Sequence, residues 1–218
     1  MKTALALLIA VALTASEAPP AQGDPMPTPA EQLIVVTAPT ADSDVGRLAA
    51  YERTGPEWRL VRGPIDADLG ELGVGAPADD VFRTPTGTFP LGLAFGREPN
   101  PGTSLPYTQV TRSDWWDEDV DSPTYNTMVQ SRLKPSEDAE NLYTSGQMYD
   151  YAVLVEHNPQ RIPGRSAGIF LHVTDDEPTW GCIAVDRDEM RSLLQWLTPS
   201  ANPRITIGVG PEPVPPAS

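Results

Sequence analysis

Residues 168–197, GIFLHVTDDEPTWGCIAVDRDEMRSLLQWL, constrain the fold of this chain more than any other stretch. Two apolar runs, 168–173 and 183–185, flank a turn rich in Asp, Pro and Gly, which is the pattern of strand, loop and return strand. The period then changes. Asp186 stands where a helix N-cap belongs, with Glu189 three residues on as in a capping box. Met190, Leu193, Leu194 and Leu197 recur at helical spacing, and Thr198-Pro199 ends the run. A helix with one apolar stripe has to cover an apolar sheet surface. The same stretch holds the only cysteine, Cys182, and one of two histidines, His172.

The rest of the chain reads mostly as short strands. Residues 32–38, 58–61, the run near Ile65, 88–94, 151–156 and 204–209 carry strand patterns, and 151–156 pairs with 168–173 across the turn-rich 157–167. Residues 42–51 read as a short helix in which Val45, Leu48 and Ala49 share a face. Pro135, Ser136 and Glu137 open a helical turn through Leu142. The expected fold class is therefore mainly β, a closed or sandwiched sheet domain with a few peripheral helices, and not a doubly wound α/β sheet.

Met1-Lys2, an apolar run over 4–13 and small residues at Thr14, Ala15, Ser16 and Ala18 have the form of a secretory signal. Residues 1–18 are assigned to it, 19–30 to a flexible spacer, 31–210 to the domain and 211–218 to a Pro-rich tail. The apolar run is too short to span a bilayer comfortably, and no cysteine follows it for lipid attachment. The expectation is an exported protein, secreted or in the cell envelope, with no membrane anchor. Thirty acidic residues against 15 basic ones give a formal charge of -15, which disfavours nucleic-acid partners.

Export narrows the meaning of Cys182. With no intrachain partner it is a reactive thiol, an intermolecular link or a small buried hydrophobe. A nucleophilic thiol needs a base and donors for the oxyanion it creates. His172 lies ten residues upstream, and the intervening loop can fold it back toward Cys182. A backbone carbonyl near Val173 can fix its tautomer. Gly181 leaves the approach open, and the Cys182 N–H is the natural oxyanion donor. The bland reading buries Cys182 on a strand with His172 at the strand end. His157, in a turn, is a second candidate base. Asp175 or Asp176 could join Cys182 and His172 around zinc, but no metal-site spacing appears, and neither a metal nor an organic cofactor is expected. TPTGT, residues 84–88, lacks the spacing and lysine of a phosphate loop and reads as a turn before a strand. In 114–126, DWWDEDVDSPTYN, the aromatics either line a recognition surface or anchor a long loop, and EF-hand spacing is absent.

LHVTDDEPTWGCIAV resembles the catalytic signature of the L,D-transpeptidase (YkuD-like) family, and TPTGTFPLG resembles a second run of that family. The resemblance spans residues 70–209. It implies a β-sandwich whose cysteine attacks peptidoglycan stem peptides, releases a terminal D-amino acid and passes the acyl group to an amine or to water. It implies Cys182 as nucleophile, His172 as base, the Val173 carbonyl as its orienter, and Gly181 with Cys182 as oxyanion donors. Thr179 takes the place of the usual serine, and Tyr125 and Asn126 line the donor side. Trp180 stands where the family often has histidine, as a substrate wall, and Ala184 where it often has arginine. The partners implied are the donor and amine-acceptor stems. The expectation is an exported cysteine acyltransferase. A thiol carboxypeptidase or hydrolase of wall peptides, or a catalytically silent wall-binding protein, are the alternatives.

Overall fold

The computed structural model describes residues 29–215. The signal, nearly all of the spacer and the last three residues of the tail lie outside the described residues.

The first strand, β1 (Gln32–Ala38), is buried at every position, as a continuous apolar run predicts for a strand covered on both faces. It is followed by β2 (Val45–Thr54), β3 (Glu57–Asp68), the short pair β4 (Val74–Gly75) and β5 (Thr84–Pro85), and the long β6 (Gly87–Gly96). Then come β7 (Tyr107–Gln109), β8 (Asp114–Asp117), β9 (Thr127–Gln130) and β10 (Ala139–Asn141). The C-terminal part holds β11 (Ala152–Val155), β12 (Phe170–Val173), β13 (Ile183–Val185), the helix α1 (Arg187–Trp196) and β14 (Arg204–Val209).

The main sheet runs β11-β12-β13-β3-β2-β1-β14-β6-β7, and β6 also pairs with β11, so eight strands close on themselves. β1 lies between antiparallel β2 and parallel β14. One continuous core gathers Ile34 and Val36, Leu48 and Ala50, Ile205 and Ile207, Leu171 and Val173, Ile183 and Val185. Met190, Leu193 and Leu194 join it from α1 and Leu197 from the cap just beyond, so the apolar stripe read from the sequence is the face this helix buries. The fold is thus mainly β, with α1 the one α-helix among the described residues and two short 3-10 turns beside it.

Three local expectations are corrected. Residues 42–51 do not form a helix: β2 occupies 45–54, paired with β1 on one side and β3 on the other. A short apolar run fits both periods, and two ladders of backbone hydrogen bonds decide for strand. The helical turn placed at 135–142 is likewise absent. There Ala139, Glu140 and Asn141 pair with β8, while Ser136 Oγ donates to Asp117 Oδ1 at 2.6 Å. The separate strands expected at 58–61 and near Ile65 are one strand, β3, which stays paired with β2 through register shifts at Leu48–Tyr51.

The cap of α1 forms in part as read. The Asp186 side chain accepts from the Asp188 N–H at 2.8 Å. Glu189 does not complete a box, because its carboxylate takes Arg62 at 2.7 Å and so ties α1 to β3. Replacing Leu194 by alanine should remove a fully buried contact between helix and sheet. The expected loss is about 2–5 kcal/mol, read from the denaturant midpoint with an unchanged slope.

Candidate active site

The parallel pairing of β12 and β13 sets Leu171 opposite Ile183, His172 opposite Ala184 and Val173 opposite Val185. Successive side chains in a strand point to opposite faces. Leu171, Val173, Ile183 and Val185 therefore enter the core shared with α1, while Phe170, His172 and Ala184 turn the other way. Cys182, one residue before β13, continues that second set and packs with Phe95, Trp116, Leu142, Tyr149, Ala152 and Phe170. Cys182 and His172 consequently share a sheet face, offset by two positions along the ladder.

Both groups are buried, Cys182 at 9% exposure and His172 at 4%. The Cys182 thiol donates to the Gly168 carbonyl at 3.2 Å and its sulfur accepts the Phe170 N–H at 3.3 Å. Burial pushes the thiol pKa well up, the Phe170 N–H opposes this, and Glu140 and Glu118 raise it further. His172 Nδ1 lies 2.8 Å from the Val173 carbonyl, which makes Nδ1 the protonated nitrogen and puts the ring's lone pair on Nε2. Burial lowers the His172 pKa, partly offset by the Val173 carbonyl and Asp175. At rest the two groups are neutral. They do not hydrogen-bond to each other, since the thiol proton is directed at Gly168.

The turn between them is held by threonines. The Cys182 carbonyl receives Thr179 Oγ1 at 2.8 Å and Thr84 Oγ1 at 3.0 Å, and Thr84 Oγ1 in turn accepts the Gly70 N–H at 2.8 Å. The Gly181 N–H reaches Thr179 Oγ1 at 3.2 Å, which leaves it partly engaged at rest. Gly181 has φ +122°, and a Cβ there would lie 3.0 Å from Ile169 Cδ1 and 3.1 Å from the Arg83 carbonyl, so only glycine suits this bend. Thr84 was not singled out as a site residue by sequence. The signal available was a threonine-rich run that phosphate binding could not explain; what lay beyond reach was its partner 98 positions away.

Tyr125 and Asn126 are close to the site, with their polar atoms turned inward. The Tyr125 hydroxyl donates to Asp79 Oδ1 at 2.7 Å. Asn126 Oδ1 accepts from Trp116 Nε1 and from the Gly168 N–H, both at 3.1 Å, so Asn126 positions the peptide whose carbonyl takes the thiol. Trp116 stands edge-on to Phe170 with centroids 5.0 Å apart, which makes it an anchor of the long loop. Trp180 points outward and stacks on Phe82. His157, the second candidate base, bonds the backbone carbonyls of Arg165 and Ser166 at 3.0 and 3.1 Å and holds the 157–167 loop. Among the described residues no group of three or more His, Cys, Asp or Glu is placed to hold a metal ion.

Two carboxylates border the thiol that sequence reading did not single out. Glu140 Oε2 accepts the Tyr149 hydroxyl at 2.8 Å, and the Tyr149 ring stands edge-on to the His172 imidazole at 5.6 Å. Glu118 packs against the α-carbon of Gly168, where any Cβ would collide with its carboxylate. Burial, followed by the charges of Glu140, Asp138, Asp117 and Asp79, pushes Glu118 up to about 8.

Two outcomes follow from these contacts. Thr84→Val should keep the fold but lose the clasp on the Cys182 carbonyl, costing about 1–3 kcal/mol of stability and slowing alkylation or acylation of Cys182 at matched folded fraction. For Glu118 the folded pKa lies above the unfolded value, so between about 4.5 and about 8 the folded state binds more protons. Its stabilising contribution is complete below pH 4.5 and is lost as pH rises toward 8. Thermal melts of Glu118→Gln across that range should fall less steeply with pH than those of the parent.

The solved structure of the helical cell shape determining protein Pgp2 from Campylobacter jejuni is similar at 14% identity and a TM-score of 0.39, covering 84% of this chain and 49% of that one. The present chain thus spans about half the length of that relative. Among curated proteins none matches. The family profile described as the L,D-transpeptidase catalytic domain, YkuD, matches residues 40–212, which include every strand of the closed sheet except β1, the threonine clasp and both His172 and Cys182. The chain belongs to the YkuD family of L,D-transpeptidase catalytic domains.

Proposed function

We propose that this protein is an exported thiol hydrolase of peptidoglycan stem peptides, cleaving a terminal D-amino acid through a thioester on Cys182. The observation that carries the reading is the placement of Cys182 and His172 on one sheet face, with His172 Nδ1 committed to the Val173 carbonyl. Nε2 is then the nitrogen available to take the thiol proton. Export rests on the signal-like residues 1–18, and the substrate class rests on family membership.

The steps follow from the two neutral groups. The substrate carbonyl enters above Cys182 and the thiol leaves its bond to Gly168. His172 Nε2 takes the proton as sulfur attacks carbon, and the oxyanion is met by the Cys182 N–H, with Gly181 as a second donor if it lets go of Thr179. The imidazolium gives its proton to the leaving amine, the carbon–nitrogen bond breaks, and a thioester remains. Water loses a proton to Nε2 and attacks the thioester. The carbon–sulfur bond breaks, the imidazolium returns its proton to sulfur, and the acid product leaves with the thiol restored.

Glu140, joined by Glu118 where pH exceeds its raised value of about 8, favours water as the acceptor when ionised. An amine arriving beside carboxylates keeps its proton more tightly, and an ammonium group is no nucleophile. Water carries no such handicap. Transfer to an amine, and silent wall binding, are the competing outcomes.

Mass spectrometry of the mature protein with defined tetrapeptide stems tests this directly. An adduct on Cys182, a released D-amino acid and a tripeptide are expected, with none of the three in Cys182→Ala. His172→Ala should fall by about 10²–10⁴. An amine-linked dimer on adding a second stem would assign transfer in place of hydrolysis. A folded parent protein that forms no adduct, or turnover surviving in Cys182→Ala, would sink the thiol mechanism.

A further inference from the structure

We propose that Trp180 and Phe82 form a saccharide-binding platform at the rim of the thiol site, holding the glycan from which the stem peptide hangs. This rests on the wall-peptide reading above. Trp180 is 75% exposed, although indole is among the largest apolar surfaces a chain can bury. Its ring stacks on Phe82 with centroids 5.3 Å apart and planes 19° from parallel. Phe82 backs one face, and the rest of the indole is left to solvent.

The platform is rigidly mounted. On the Trp180 side, the Thr179 N–H donates to the Leu69 carbonyl at 2.8 Å and the Thr179 carbonyl takes the Glu71 N–H at 2.9 Å. On the Phe82 side, the Leu72 N–H donates to the Phe82 carbonyl at 3.0 Å. Leu72, itself partly exposed, extends the apolar patch. An exposed aromatic on fixed backbone loses little freedom when a ligand stacks on it.

The surroundings select the chemistry. Glu71, Asp175, Asp176 and Glu177 are exposed on the two segments that meet at Thr179, one of them just before Trp180. Carboxylates repel an anionic ligand and accept hydrogen bonds from hydroxyls. A pyranose offers both a flat C–H face for the indole and a ring of hydroxyls for such acceptors. Three side chains are too small a patch for a stable protein partner.

The reach also fits. Trp180 is two residues before Cys182, so their α-carbons are at most roughly 7 Å apart, and the indole projects outward from there. Three stem residues between glycan and scissile carbonyl span at most roughly 10 Å when extended.

The test uses full-length Cys182→Ala protein, which binds without turnover, titrated by calorimetry with a tetrapeptide stem and with the same stem bearing its disaccharide. The disaccharide is expected to tighten binding about tenfold, and W180A in that background should bring the ratio of the two affinities close to one. F82A should lower the ratio in the same direction, and W180F should retain part of it. A ratio near one in the parent overturns the proposal. So does a W180A variant that weakens both ligands alike, which would mark Trp180 as a contact for the peptide or its ammonium group. These outcomes are separable from the hydrolase reading: a protein that binds disaccharide through Trp180 but never forms the Cys182 adduct leaves the platform standing and removes the chemistry.

Discussion

The parallel pairing of β12 with β13 is the constraint on which the rest of the site depends. It puts the His172 and Cys182 side chains on one face and the apolar residues between them on the other. A slip of one residue would turn Cys182 and His172 into the core beneath α1 and bring Leu171 and Ile183 out. The register is secured by that core, because Leu171, Val173, Ile183 and Val185 can be buried against Met190, Leu193 and Leu194 in only one alignment. Helix α1 thus fixes the chemistry from the reverse side of the sheet without touching it.

A parallel pair so close in sequence needs a sharp connection, and residues 174–181 supply it. The bend concentrates at Gly181, and the Cys182 carbonyl beyond it is held by two hydroxyls. Thr84 arrives from the segment before β6, so the TPTGT run and the cysteine segment form one device. Asn126 acts similarly from a third direction, fixing Gly168 and through it the thiol. Three loops thereby converge on Cys182, two through its carbonyl and one through the Gly168 peptide that takes its thiol.

The sequence made the framework readable where a single pattern sufficed. The strands at 32–38 and 204–209, the pairing of 151–156 with 168–173 and the helix from its cap at Asp186 all follow from local periodicity. Residues 42–51 defeated the same method, since Val45, Leu48 and Ala49 suit a helical face until neighbours on both sides offer hydrogen bonds. In the site, the turn that joins the His172 strand to the Cys182 segment was legible from its own Asp, Pro and Gly. Thr84, Glu118 and Glu140 were not, because their importance lies in partners remote in sequence. The side chains of Tyr125 and Asn126, which the family resemblance assigns to the donor side, at rest bond Asp79 and the Asn158 carbonyl, partners no local pattern reveals.

The electrostatics of the site favour a pair that is quiet at rest. Burial raises the thiol and lowers the imidazole, so both shifts oppose the thiolate–imidazolium form. Glu118, Glu140 and the buried Tyr149 between Glu140 and His172 add no cation that would reverse this. In a solvent-filled cleft such a thiol would be a poor nucleophile. It becomes a workable one if proton transfer to His172 accompanies carbon–sulfur bond formation, because the negative charge then moves to the substrate oxygen instead of resting on sulfur. In the proposed mechanism that oxyanion would be met by backbone N–H groups at the start of β13. An acidic surround that would disable a preformed ion pair is therefore compatible with a concerted attack. It also keeps a lone cysteine from reacting before a substrate carbonyl is in place.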